Sequence, residues 1–252
     1  MSDPDTDLTK DFFLNGKLQL LQPKRGHRAG HDAILLAAAT QAKEGDRVVE
    51  FGAGVGTAGL AVARRVGNVR LDLVEVDETL CDLARRNAEL NRIAANVVAL
   101  DVRACAGDFA AVGLAPDCAD VVMMNPPFND SSRHRPSPDA QRMKAHQSTD
   151  DTIKSWTSAA RRVLRSGGAL TLIWRADGIA DVLCALQTGF GGLEILPIHP
   201  RPDAPAIRVI VKAIKGSGAA LKLHPAFLLN GAAGNPDERA KAAMAGEASL
   251  LT

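Results

Sequence analysis

An apolar run, Val121-Val122-Met123-Met124, ends abruptly in Asn125-Pro126-Pro127-Phe128. Two consecutive prolines cannot continue a strand ladder and hold φ near the polyproline value, so the chain leaves the strand in a fixed shape. That shape presents the Asn125 amide, the Pro126 carbonyl and an aromatic ring. Together they form a receptor for a planar group bearing an NH2, adenine first and a glutamine amide next. The competing reading is an ordinary turn after a core strand, since Asn and Pro are common turn formers. The rest of the chain has to decide between them.

A second group of residues lies at the ends of three apolar runs. Gly52-Ala53-Gly54-Val55-Gly56 follows Arg47-Val48-Val49-Glu50-Phe51 and precedes a helical pattern, so glycines remove the Cβ atoms that would keep a ligand from the backbone. Gly54, Gly56 and Gly59 satisfy the G-x-G-x-x-G spacing of a dinucleotide turn, which brings a nicotinamide or flavin enzyme into consideration. Glu50 separates the readings. A pyrophosphate gains nothing from a carboxylate there, whereas an ammonium gains a charge-assisted bond. S-adenosylmethionine carries an ammonium and a sulfonium but no phosphate. Glu75, after the second apolar run, is expected to accept from ribose hydroxyls, and Asp101, after the third, from an adenine amino group. The competing reading for either acid alone is that it merely starts the next helix, a reading that weakens for three acids at three successive strand ends.

Strands and helices must bring these groups together. Strands are expected at Arg47–Phe51, Val69–Val76, Asn96–Leu100, Asp120 onward, Ala169–Trp174, Leu193–Ile198 and Ile207–Ile214. Helices are expected at Asp32–Thr40, Ala58–Val66, Glu78–Asn91, Thr152–Arg165 and Ile179–Gln187, with Gly167-Gly168 as a break. Their alternation predicts a Rossmann-like, open twisted α/β sheet with helices on both faces. It is mostly parallel; the last two strands are joined by too short a segment for a crossover and should pair antiparallel. Asn15-Gly16 between apolar flanks predicts a hairpin beginning near Asp11. Three regions follow: a tail and hairpin extension over 1–28, the main domain over 29–215, and a C-terminal extension over 216–252, extended around Leu221–Leu229 and helical around Pro236–Ala245. The stretch Asn129–Asp150 is expected to be a long polar loop, either a functional lid or a disordered segment.

Composition bounds the class. The 252 residues are 46% apolar and 23% charged with a net charge of +1, so any nucleic-acid contact needs a local basic patch. No apolar run approaches the roughly 20 residues of a membrane span, and Met1–Lys10 is polar and acidic rather than a secretory signal. Cys81, Cys105, Cys118 and Cys184 form no C-x-x-C pair, which argues against zinc and a disulfide framework and for a reducing cytoplasm. Cytosine-C5 chemistry is disfavoured because no Pro-Cys pair occurs. The basic candidates for phosphate contact are Lys24, Arg25 and Arg28, near His27, and Arg133, Arg135, Arg142 and Lys144 after the proline corner.

The glycine turn after Glu50, with Glu75, Asp101 and Asn125-Pro126-Pro127-Phe128, resembles the class I S-adenosylmethionine-dependent methyltransferases that act on exocyclic amines. More narrowly, Phe12-Phe13-Leu14-Asn15-Gly16-Lys17-Leu18-Gln19-Leu20-Leu21-Gln22-Pro23 and Gly30-His31-Asp32-Ala33-Ile34-Leu35-Leu36-Ala37 resemble the bacterial adenine-N6 methyltransferases of valine transfer RNA. The resemblance runs from about Asp11 to Lys215 and implies seven strands with the last reversed. It assigns cofactor contact to Glu50, Gly52, Ala53, Gly54, Gly56, Thr57, Glu75, Val76, Asp101, Val102 and Asn125, and catalysis to Asn125, Pro126, Pro127 and Phe128. RNA, with transfer RNA foremost, is the implied partner, and no metal is implied. Release-factor glutamine and guanine-N2 methyltransferases share the tetrapeptide, so a protein glutamine or small-molecule acceptor, including an O-methyl acceptor, stays open. A nucleotide- or RNA-binding module without turnover is the alternative of another class. The family's last motif position is Tyr or Phe; this chain contains no Tyr, and Phe128 stacks without donating a hydrogen bond.

Overall fold

The computed structural model describes residues 7–25, 28–127 and 138–251, with the side chains of 138–150 outside that description. An antiparallel hairpin opens the chain, β1 (Leu8–Phe13) against β2 (Leu18–Pro23). Asn15 and Gly16 make its turn at φ 53° and 83°. Pairing of Leu8 with Pro23 starts the hairpin three residues before the expected Asp11.

The main sheet contains β3 (Arg47–Phe51), β4 (Arg70–Glu75), β5 (Ala95–Ala99), β6 (Ala119–Met124), β7 (Leu164–Arg175), β8 (Phe190–His199) and β9 (Arg208–Lys215). Their order is β5-β4-β3-β6-β7-β9-β8, with parallel pairs throughout except for β9, which runs antiparallel to both neighbours. Two short strands, β10 (Lys222–Leu223) and β11 (Phe227–Leu228), extend the far edge by pairing with β8. The expected fold is therefore present, widened by two short strands from the C-terminal extension.

Helices α1 (His31–Ala39), α2 (Thr57–Val66), α3 (Glu78–Leu90) and α7 (Glu238–Met244) pack with the hairpin on one face of the sheet, sharing one apolar cluster that reaches from Leu18 and Leu20 to Phe227 and Ala243. On the other face, α4 (Ala106–Ala111), α5 (Pro138–Val163) and α6 (Ile179–Leu186) cover a second cluster around Phe51, Phe109 and Trp174.

Two expectations need correction. Helix α5 begins at Pro138, not Thr152, so much of the expected loop is helical. Proline suits a first helical position, where its missing N–H costs nothing, and the residues that follow are mostly good helix formers without an apolar stripe to reveal them. Gly167-Gly168 does not break the chain between helix and strand but lies inside β7. It forms an irregularity opposite Ala119–Val121, where a Cβ on Gly168 would meet the Asp120 carbonyl at 3.0 Å.

Candidate active site

Register brings the two motifs together. Phe51 of β3 pairs with Met124 of β6, so Gly52 and Asn125 leave adjacent strand ends about 4.8 Å apart. Val74 of β4 pairs with Phe51 on the other side, which puts Glu75 at the next end. Such a crevice beyond the carboxyl ends of parallel strands is where sheets of this type bind ligands.

The glycine turn is held by its own backbone and by Glu75. Ala53 N–H donates to Val74 O at 3.0 Å, and Gly56 N–H to Ala53 O at 2.8 Å. Glu75 Oε2 accepts from Gly54 N–H at 2.8 Å, while Oε1 accepts from Val76 and Asp77 at 2.8 and 3.1 Å. This carboxylate thus shapes the turn from the end of β4. Gly52, Gly54 and Gly56 all take positive φ. A Cβ on Gly54 would meet nothing within 4 Å, whereas one on Gly52 would lie 2.5 Å from Cη2 of Trp156. One glycine therefore faces open space and the other an indole from α5.

Glu50 points into the apolar layer beneath α2 and accepts from Gly59 N–H at 2.7 Å. Burial, with repulsion from Glu75, pushes its carboxyl up to about 8 against the pull of the Gly59 bond. Asp101 is partly exposed and ion-paired with Arg103 at 2.7 Å, which holds its carboxyl below the usual range. Val76, next after Glu75 at the end of β4, is 65% exposed, and Val102 is buried.

Among the described residues, two polar atoms here are shielded without a partner: Asn125 Oδ1 and Thr57 Oγ1. An unpaired buried acceptor is costly, and groups of this kind cluster where a ligand completes the bonding. Pro126 is buried and Pro127 exposed. Phe128, Arg133 and Arg135 lie outside the described residues, as does His27; Arg142 and Lys144 lie on α5, their side chains outside the description. Lys24 and Arg25 are exposed beyond β2, whereas Arg28 is bound to Asp11 at 2.6 Å. The structure also adds Trp156, for which its rarity in a chain with two tryptophans was the available signal.

A basic cavity of about 590 Å³ lined by Arg161, Arg162, Ser166 and Lys215 lies at the opposite ends of the strands and plays no part in this crevice. Among the described residues no group of three or more His, Cys, Asp or Glu is placed to hold a metal ion.

Residues 30–198 match the methyltransferase small domain. The chain belongs to that family. A tRNA1(Val) (adenine(37)-N6)-methyltransferase of Pedobacter heparinus is 25% identical over 88% of this chain and 92% of its own. A release factor glutamine methyltransferase of Chlorobaculum tepidum is 24% identical over 76% and 67%. Among solved structures, a predicted O-methyltransferase of Agrobacterium tumefaciens superposes with a TM-score of 0.74 at 30% identity, covering 88% of this chain and 99% of that one. This methyltransferase is an enzyme that uses S-adenosylmethionine. The strand ends carry features that suit that cofactor: open space over Gly54, an exposed apolar side chain at Val76, and the acids Glu75 and Asp101, the latter paired with Arg103.

Proposed function

We propose that the enzyme methylates an exocyclic amine, N6 of adenine in a transfer RNA. The observation that carries this reading is Asn125 Oδ1, a shielded acceptor with no donor among the described residues, at the strand end beside Gly52. An exocyclic adenine amine is a poor nucleophile because its lone pair is delocalised into the ring. In the proposed complex Asn125 Oδ1 and the Pro126 carbonyl accept from its two N–H groups and return electron density to nitrogen, while Phe128 stacks on the base. Such stacking contributes about 1 to 3 kcal/mol per base.

Bound S-adenosylmethionine supplies the electrophilic methyl group. Glu50, Gly52, Ala53, Gly54, Gly56, Thr57, Glu75, Val76, Asp101 and Val102 would hold it, with Glu50 ionising from its buried place on Gly59 N–H as it meets the ammonium. The remaining acceleration comes from alignment of the amine for in-line displacement. No strong base is needed, since the amine becomes acidic only as it gains positive charge. A base within folded RNA must first be unstacked, and Lys24 and Arg25, with the cations of the α5 region, are the groups to hold the backbone around it.

The relatives named for tRNA1(Val) adenine support this substrate, and the release-factor relative supports a glutamine amide as the second reading. Tritiated methyl transfer to total RNA and to total protein, followed by nucleoside and amino-acid analysis, separates them. N6-methyladenosine in RNA is the expected product. Label confined to protein as methylglutamine establishes the second reading, and label on an oxygen excludes both.

A further inference from the structure

Asn87, on α3, is fully buried and uses three of its hydrogen-bonding positions on two different parts of the chain. Its Oδ1 accepts from Leu21 N–H at 2.7 Å, and its Nδ2 donates to Leu21 O at 3.1 Å and to Val55 O at 3.0 Å. Leu21 belongs to the N-terminal hairpin. Val55 belongs to the glycine turn, between the left-handed Gly54 and Gly56.

One turn further along, at the C-terminal cap of α3, Asn91 repeats half of this arrangement. It accepts from Gln19 N–H at 2.9 Å and donates to Gln19 O at 2.6 Å, with its other bond directed to the Asn87 carbonyl inside the helix. The two side chains are spaced to match a strand, because four helical residues rise about 6 Å and two strand residues advance about 6.6 Å. Together they act on β2 as a neighbouring strand would. Only Asn87 also reaches the turn.

We propose that Asn87 is a positioning residue for the cofactor turn, and that it makes the docked hairpin part of the cofactor-binding apparatus. The inference rests on the reading of Gly52–Gly56 as the turn that receives S-adenosylmethionine. Fixing the Val55 carbonyl holds the flanking glycine backbone in shape for the ligand, and the ligand in turn reinforces the Asn87 bonds that dock Leu21. Reciprocity of this kind is a thermodynamic requirement once the two are coupled.

Asn91 provides the internal control, since Asn91→Ala removes hairpin bonds without touching the turn. Titration calorimetry with S-adenosylhomocysteine, alongside thermal unfolding, is the test. Both Asn87→Ala and Asn91→Ala should lower the melting temperature. Asn87→Ala should weaken binding more than Asn91→Ala does, by roughly five- to tenfold for one buried hydrogen bond to the turn. Asn87→Asp keeps the acceptor for Leu21 N–H but offers Val55 O no donor, so it should weaken binding as well. Equal affinities for the Asn87→Ala and Asn91→Ala proteins overturn the proposal. Should Asn87→Ala not fold, amide hydrogen exchange of the unmodified protein decides: saturating ligand should slow exchange at Leu21 more than at Gln19, and equal slowing overturns the coupling. An unmodified protein that binds no S-adenosylhomocysteine overturns the cofactor site itself, a distinct result that takes this coupling with it.

Discussion

The Cα of Gly52 faces the indole of Trp156 so closely that a Cβ would sit 2.5 Å from Cη2, with φ at +64°. Gly52→Ala therefore combines a left-handed alanine with overpacking. We expect a loss of about 3 kcal/mol in urea unfolding, of which the conformational part is about 1 to 2 kcal/mol. Trp156→Phe in the same chain should recover part of it, since a smaller ring gives way. Additive losses in the double variant would mean that the ring contact is not what makes the alanine costly.

Gly54 shares the left-handed backbone but has no atom within 4 Å of an added Cβ. Gly54→Ala should cost only the conformational penalty of about 1 kcal/mol, yet reduce S-adenosylhomocysteine affinity at least tenfold by occupying the space the ligand needs. Calorimetry on the folded variant measures this; unchanged affinity would locate the cofactor elsewhere.

Much of this architecture was legible because it rests on local periodicity. The glycine turn, Asn15-Gly16 and the reversed strand after His199 each follow from neighbouring residues. What escaped had other causes. The short α4 and the two-residue strands β10 and β11 are below the length at which a pattern forms. The early part of α5 has no apolar stripe to distinguish it from a loop. Trp156 over Gly52 and Asn87 between Leu21 and Val55 depend on segments far apart in sequence. Glu75 was legible as an acid at a strand end, but its three backbone donors were not, because they exist only once the turn has closed.

Among the described residues nothing donates a hydrogen bond to Asn125 Oδ1, so removing it should leave the fold intact. Asn125→Ala should reduce single-turnover methyl transfer by about 10² to 10³, as for loss of one preorganised polar group. Its affinity for S-adenosylhomocysteine should stay within about threefold, about 0.7 kcal/mol. Full transfer activity in this variant would exclude the proposed role for the amide.

Lys24, Arg25 and Arg28 are all exposed, and Arg28 is ion-paired with Asp11 at 2.6 Å. If RNA follows this edge, Lys24→Ala and Arg25→Ala should each reduce the slope of log affinity against log salt by about 0.7 to 0.9. Arg28→Ala should change that slope less and instead lower stability by no more than about 1 kcal/mol, the scale of a partly exposed ion pair. Filter binding across a salt series, with unfolding on the same proteins, compares the two effects. RNA affinity independent of salt would remove all three cations from the interface.

Glu50 sets a pH dependence whose sign follows from its burial. Its carboxyl titrates at about 8 in the folded chain, against an unfolded value of 4.5, because the charged form is desolvated and repelled by Glu75. Between those values the folded state binds the proton and the unfolded state does not, so stability falls as pH rises from about 4.5 to 8. Glu50→Gln should flatten the decline in unfolding free energy from pH 6 to 8.5. Ligand adds the complementary test. An ammonium beside Glu50 favours its ionised form, so S-adenosylhomocysteine affinity should climb with pH below about 8, with proton release, and Glu50→Gln should abolish that climb. A slope from pH 6 to 8 that survives in the Gln variant would assign the titration to another group and leave Glu50 as a structural acid under α2.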